Sequence, residues 1–408
     1  MRTVEEHRAA VLRLVAPLPP TRQPVGGALG LVLAEDVVAA VDLPGADNSA
    51  MDGYAVRARD VAAAAARSPV VLAVDGDVAA GDTRRHRLAP GRALRIMTGA
   101  PLPEGADAVV PVEATDGGAA RVEVRLAAEP GRHVRRRGED VVAGEPLLGA
   151  GARLAPGQLA LAAAANVAEL SVHPRPRVAV ISTGDELVPP GSTLEHGQVV
   201  DSNHVMLCAL VEAAGCEVAS SAHLADDPVA VRRHLDDLPG DPDLVLTTGG
   251  VSMGVYDTVK EVLAAEQGVE FVRVAMRPGM PQGSGVVGPA RTPLITLPGN
   301  PVSSFVSFHV FVLPALRRLA GLDAEADGSF EALAAEGWPT AVGKLEATRV
   351  VEDEDGLVRP SGGQGSHVLG ALARATALAL VPAEVDRVEA GDRVRCMPLL
   401  GQDRRRGR

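Results

Sequence analysis

Aromatic residues are nearly missing from this 408-residue chain, which has one Trp, two Tyr and five Phe. Its cores are therefore expected to be packed from Ala, Val and Leu. Lysine is scarcer still, since Lys260 and Lys344 carry all of it and arginine supplies the remaining positive charge. The formal net charge is −12, and no long basic run precedes Arg404-Arg405-Arg406. No basic residues are interleaved with aromatics either, which argues against a nucleic-acid partner. Cys208, Cys216 and Cys396 are too irregularly spaced for a disulfide framework or a zinc signature, and fit a reducing, cytoplasmic compartment. Residues 1–15 mix acids and arginines without the apolar centre of a signal peptide, and no segment is expected to span a membrane.

What is present points to several domains, because a chain of this length exceeds what one core usually serves. Val4, Val11, Leu12 and Val15 recur at roughly helical spacing until Pro17, Pro19 and Pro20. Short β-rich pieces follow at 70–74, 93–97, 108–112 and 122–126, separated by Gly, Pro and Asp, and predict a small β domain. An Ala-rich stretch, 157–170, predicts a helix, and His173-Pro174-Arg175-Pro176 marks a boundary. Beyond it strands alternate with helices. Strands are expected at 178–182, 217–221, 244–248, 269–274 and 294–297, with helices from Asp201 or Ser202, at 228–238, near 257–266 and at 302–319. That alternation predicts a mostly parallel sheet covered by helices on both faces. Strands at 345–351, 378–382 and 393–398 predict a second small β domain.

In an open parallel sheet, ligands bind outside the carboxyl ends of the strands. Three strands of this chain run into such loops: Thr183-Gly184-Asp185-Glu186-Leu187, Gly249-Gly250-Val251-Ser252-Met253-Gly254 and Pro298-Gly299-Asn300-Pro301-Val302. Glycine permits close backbone approach, and amides opening a helix attract phosphate, so the three together suggest a phosphorylated ligand. Each loop alone is equally readable as a tight strand-to-helix turn. Asp185, Glu186, Asp226, Asp227 and Asp257 lie beside these loops, where carboxylates hold magnesium or orient a polar ligand. Helix capping is the alternative, and suits Asp201 and Asp227. Arg273 and Arg277 would reach the same edge as oxyanion donors, or stand as solvated rim arginines.

Read together with Asn48-Ser49-Ala50-Met51-Asp52-Gly53-Tyr54-Ala55, the segment from Met97-Thr98-Gly99-Ala100-Pro101 to Val110, Gly138-Glu139-Asp140-Val141 and Asp201-Ser202-Asn203, these loops resemble the molybdopterin molybdenumtransferase family, the MoeA-like molybdenum insertases. The resemblance covers about 48–304 in the family's order. It implies a multidomain α/β-plus-β fold with four parts. These are an elongated helical/β domain (1–50 and 138–175), an inserted β domain (51–137), a central three-layer α/β domain resembling MogA (176–326) and a small barrel-like β domain (327–408).

By the same resemblance, the chain inserts molybdate into adenylated molybdopterin with release of AMP, as a homodimer whose clefts combine both subunits. Asp52, Thr98 and Asp140 would face the cleft from the inserted-domain side, and Glu186, Asp226 and Asp257 would line the central domain and hold Mg2+. Thr183, Gly184, Asp185, Ser202, Gly249, Gly250, Ser252, Gly254 and Asn300 would bind the pterin ligand. Arg273, Arg277, Arg349 and Ser366 would serve the molybdate end, and Pro298 and Pro301 would shape the loop that follows. A MogA-like adenylyltransferase would supply the substrate. The family commonly has a second lysine where this chain has Met280, in Arg277-Pro278-Gly279-Met280-Pro281. An adenylyltransferase or nucleotide pyrophosphatase on the same central fold is one alternative, and a non-catalytic gephyrin-like scaffold is another.

Overall fold

The structure is a computed structural model and describes residues 1–250, 258–264 and 268–402. Its centre is the strand Arg177–Thr183, buried from Val178 onward as a strand covered on both faces must be. Glu217–Leu224 and Leu244–Thr248 flank it in parallel, with Val178 opposite Val218 and Leu244. Thr292–Leu297 continues the parallel set beside Leu244–Thr248. Pro281–Val287 and Glu270–Arg273 then complete a six-stranded sheet in antiparallel register. Pro281–Val287 was not foreseen, because Gln282-Gly283-Ser284-Gly285 is β-poor text. Pairing on both sides overrides that propensity.

Side chains alternate across the sheet. Val178 and Val180 meet Leu207 and Val211 of the helix Ser202–Ala213 and Phe308 and Phe311 of the helix that begins at Pro301. Ala179 and Ile181 face the other way, onto Val231 and Leu235 of Pro228–Asp236 and onto Val259 and Leu263 of Thr258–Ala264. This is the expected three-layer arrangement. Val4, Val11 and Val15 enter the first of these cores, so the N-terminal helix Val4–Arg13 packs on the central domain rather than on the elongated segment it was grouped with.

The run Pro301–Leu319 is long and apolar enough to cross a membrane, contrary to expectation, but 89% of it is buried inside the protein. It contains a π turn, Phe308–Val312, just ahead of Pro314. Proline has no N–H for the regular helical ladder, and the wider turn accommodates the break.

In the elongated segment Thr21–Pro24 and Val32–Leu33 pair with either side of Glu169–His173. The helix expected over 157–170 ends at Ala164, where Asn166 takes a left-handed φ of 61° and turns the chain into that strand. The inserted domain is a five-stranded sheet ordered Ala108–Pro111, Gly53–Val56, Arg92–Ile96, Val70–Val78, Arg121–Val124. The C-terminal strands Leu345–Glu352, Leu357–Pro360, Phe330–Ala334, Arg393–Pro398 and Ala377–Val381 close on themselves as a five-stranded barrel. Met276–Arg277 adds to it in parallel, Arg277 opposite Glu346, and joins the barrel to the central domain.

Candidate functional site at the strand ends

Parallel strands in register end at the same edge, so the loops after Thr183, Thr248 and Leu297 converge. A Cβ on Gly249, at φ 89°, would lie 2.7 Å from the Thr183 carbonyl oxygen, and one on Gly299 would lie 3.7 Å from Gly249 Cα. Glycine is required at 249 on both counts. Around this junction is a cavity of about 520 Å³. Six residues expected from sequence line it: Thr183, Glu186, Ser202, Gly249, Asn300 and Pro301. Asp201, Asn203, Thr248, His367 and Leu369 also line it and were not among the expected site residues.

Asn203 ties the loops together, its Nδ2 donating to Thr248 Oγ1 (2.9 Å) and to the Gly299 carbonyl (2.7 Å). Because the carbonyl can only accept, the amide orientation is settled and Oδ1 is the acceptor left over. Among the described residues Asn203 Oδ1 and Thr183 Oγ1 are buried without a hydrogen-bond partner, in residues 8% and 4% exposed. Buried polar atoms are normally paired, and exceptions gather at functional sites. Ser304 Oγ sits 3.2 Å from Thr248 Oγ1 and donates to the Pro298 carbonyl, so Pro298 shapes the loop from behind the lining.

The acids separate. Glu186 is exposed at the cavity, whereas Asp226 does not line it and exchanges bonds with its neighbour: the Asp185 amide donates to Asp226 Oδ2 (3.3 Å) and the Asp226 amide to Asp185 Oδ1 (3.0 Å). Asp257, Ser252 and Gly254 lie outside the described residues, as Gly250 and Gly184 lie inside them but off the lining. Among the described residues no three His, Cys, Asp or Glu side chains are grouped to hold a metal ion. The expected set of Glu186, Asp226 and Asp257 is thus not assembled by the part of it that is described. Asp201 is both cavity wall and helix cap, accepting the His204 amide at 3.0 Å. Asp227 caps the next helix, accepting from Val229 at 2.9 Å.

The arginines separate too. Arg273 is exposed with Nη2 3.1 Å from Met280 Sδ, so the Met280 substitution places sulfur against a guanidinium. Arg277 is exposed and 3.8 Å from Glu346, a buried acid that desolvation pushes above the usual carboxylate range and Arg277 draws back down. Neither lines the cavity. Arg349 corrects the expectation most clearly. It is 1% exposed, and its guanidinium donates to the carbonyls of Gly363 (2.9 Å), Gly365 (3.2 Å) and Val368 (3.3 Å) and to Gln364 Oε1 (3.3 Å). Those donors are turned inward onto a loop, not toward an oxyanion. Ser366, in that loop, contributes its carbonyl to the Val302 amide at 3.1 Å.

Asp52, Thr98 and Asp140 lie away from the cavity lining of this chain. Asp52 Oδ1 accepts from the Thr98 amide (2.6 Å) and hydroxyl (2.7 Å), bonds that hold its carboxyl below the usual range. Asp140 is exposed, and its amide donates to the Leu43 carbonyl at 3.0 Å.

An α/β domain whose strand ends open a cavity with unpaired polar atoms, carried on one chain with an inserted β domain and a barrel, defines a multidomain protein built to take a polar ligand at that edge. Sequence profiles described as MoeA N-terminal region (domain I and II), probable molybdopterin binding domain and MoeA C-terminal region (domain IV) match residues 2–166, 179–318 and 331–399. Molybdopterin molybdenumtransferase 2 of Mycobacterium tuberculosis is 47% identical over 406 residues, covering 98% of this chain and 100% of that protein. Molybdopterin molybdenumtransferase 1 of the same organism is 36% identical over 96% of this chain and 97% of its own length. The crystal structure of the MoeA protein from Pyrococcus horikoshii superposes with a TM-score of 0.81 at 31% identity, over 98% of this chain and 99% of that one. The chain belongs to the MoeA family.

Proposed function

We propose that this protein is a molybdopterin molybdenumtransferase, a transferase of molybdenum cofactor biosynthesis that inserts molybdate into adenylated molybdopterin with release of AMP. The observation that carries the reading is the convergence of Thr183, Asn203, Gly249 and Pro301 on one cavity with two buried oxygens that no described residue pairs. A ligand rich in donors and phosphate oxygens suits such a wall, in which backbone amides at the start of a helix add anion affinity. Glu186 is the exposed carboxylate at that cavity and the candidate to orient water or a divalent cation, with Mg2+ the expected ion. Molybdate is substrate here, and the exposed Arg273 and Arg277 are its candidate first contacts. The cytoplasm, a homodimer and a MogA-like adenylyltransferase as supplier complete the proposal; Asp52, Thr98 and Asp140 would act on the partner copy's cleft.

Purified protein supplied with adenylated molybdopterin and molybdate, with and without Mg2+, should release AMP and form molybdenum cofactor together. AMP released without cofactor would favour the pyrophosphatase alternative, and neither product would sink the proposal.

A further inference from the structure

Two of the described cavity-lining side chains, Glu186 and Asp201, are acids, and His367 alone among them can carry positive charge. His367 comes from the C-terminal domain, on the loop 361–368. That loop is built, not merely draped. The buried Arg349 guanidinium binds three of its carbonyls, Gln364 Oε1 accepts from the Arg349 amide (3.0 Å) while Gln364 Nε2 donates back to the Arg349 carbonyl (3.2 Å), and the Ser366 carbonyl is docked on the Val302 amide at the helix start. The ring of His367 is laid against Gly365, where a Cβ would come within 3.0 Å of His367 Cε1. A fixed loop of this kind places a side chain with little ordering left to do on binding.

We propose that His367 is a ligand-contacting residue that donates a hydrogen bond to the phosphate of the adenylated ligand, and that Arg349 is the positioning residue that holds it there. The inference rests on the reading that this cavity takes an adenylated ligand. An anion arriving beside two carboxylates needs a compensating donor on the same wall, and an imidazole N–H supplies one without the permanent charge of arginine. The five-stranded barrel thereby contributes to the central cavity through one loop.

The test uses the full chain and two probes, AMP and adenosine, by titration calorimetry. His367→Ala should weaken AMP by about tenfold, the size of a lost charge-assisted hydrogen bond, and leave adenosine unchanged. His367→Arg should recover most of the AMP affinity. Unchanged AMP binding in His367→Ala, or equal loss for adenosine, overturns the contact. Gln364→Ala, milder than any change at the buried Arg349, should give the same AMP-selective loss together with faster amide exchange over 363–368. Faster exchange with full AMP affinity overturns the positioning role. If the unmutated protein binds neither probe, the reading of the cavity falls as well, and that failure is distinct from a variant that keeps its AMP binding.

Discussion

In the central cavity polar groups are buried and shared among loops, with Asn203 Nδ2 bound to both Thr248 Oγ1 and the Gly299 carbonyl, whereas Asp52 in the inserted domain is exposed and takes both its bonds from Thr98. The first arrangement exists only when three strands have met in register. The second needs only the pairing of Gly53–Val56 with Arg92–Ile96 that brings 52 beside 98. Shared burial makes a site stiff and intolerant of change, while a local pair on the surface can be altered at little structural cost and offers its carboxylate to whatever approaches.

The largest effect should come from the junction. Gly249→Val adds a side chain at φ 89° and 2.7 Å from the Thr183 carbonyl, and insertion activity should fall on the order of a hundredfold, as expected when reacting groups are displaced by about 1 Å. A steady-state assay beside a melting curve checks it; near-normal activity would mean that the loops do not need this approach.

Asn203→Ala leaves the Gly299 carbonyl without its donor and should lower stability by about 1–3 kcal/mol, read as an earlier urea midpoint. Asp52→Ala should do the reverse, leaving the urea midpoint nearly unmoved while activity drops roughly tenfold. Mixing Asp52→Ala with Glu186→Ala subunits sharpens the contrast. Recovery of about a quarter of normal activity is expected if clefts are shared in a two-fold dimer, and no recovery would confine the Asp52 corner to its own chain.

Burial also writes a pH dependence into the central domain. His7, packed against Phe311, and His309, inside the helical run that opens at Pro301, are pushed down to about 4 by desolvation. Both rings are neutral when folded, and the unfolded chain, titrating near the ordinary imidazole value of about 6.5, binds more protons as pH falls. Their contribution is therefore fully present above about pH 6.5 and is lost toward pH 4, at about 1 kcal/mol per pH unit for each ring. His7, whose ring nitrogens both lack a partner among the described residues, is the cleaner probe: His7→Leu should flatten the slope of urea stability between pH 4 and 6.5, and an unchanged slope would count against its burial. The smallest effect belongs to Met280→Lys, at an exposed contact with Arg273, for which molybdate half-saturation should move by less than about threefold.

Much of this was legible in the sequence. The mostly apolar segments 178–182 and 244–248 read as covered parallel strands, the glycines after them as loops of close approach, and Asp201 as a helix cap. Pro281–Val287 was not legible, because Gln282, Gly283, Ser284 and Gly285 carry no strand signal without their neighbours. Nor was the fate of charged residues. Asp226 looked like Glu186 in its loop, yet one binds a backbone amide and the other faces the cavity. Arg349 looked like an anion donor, yet it lies under the loop it holds. His367, a lone histidine in Gly-rich text, gave no signal at all.

The sequence by itself determined the order of strands and helices, and with it the edge where a ligand could bind, because hydrophobic period and glycine placement act over a few residues. Which side chains meet at that edge was decided by tertiary structure. Burial, desolvation and hydrogen-bond partnership depend on what remote segments bring alongside, and the barrel brings His367, on the loop that Arg349 holds, to a cavity that the central strands alone leave open.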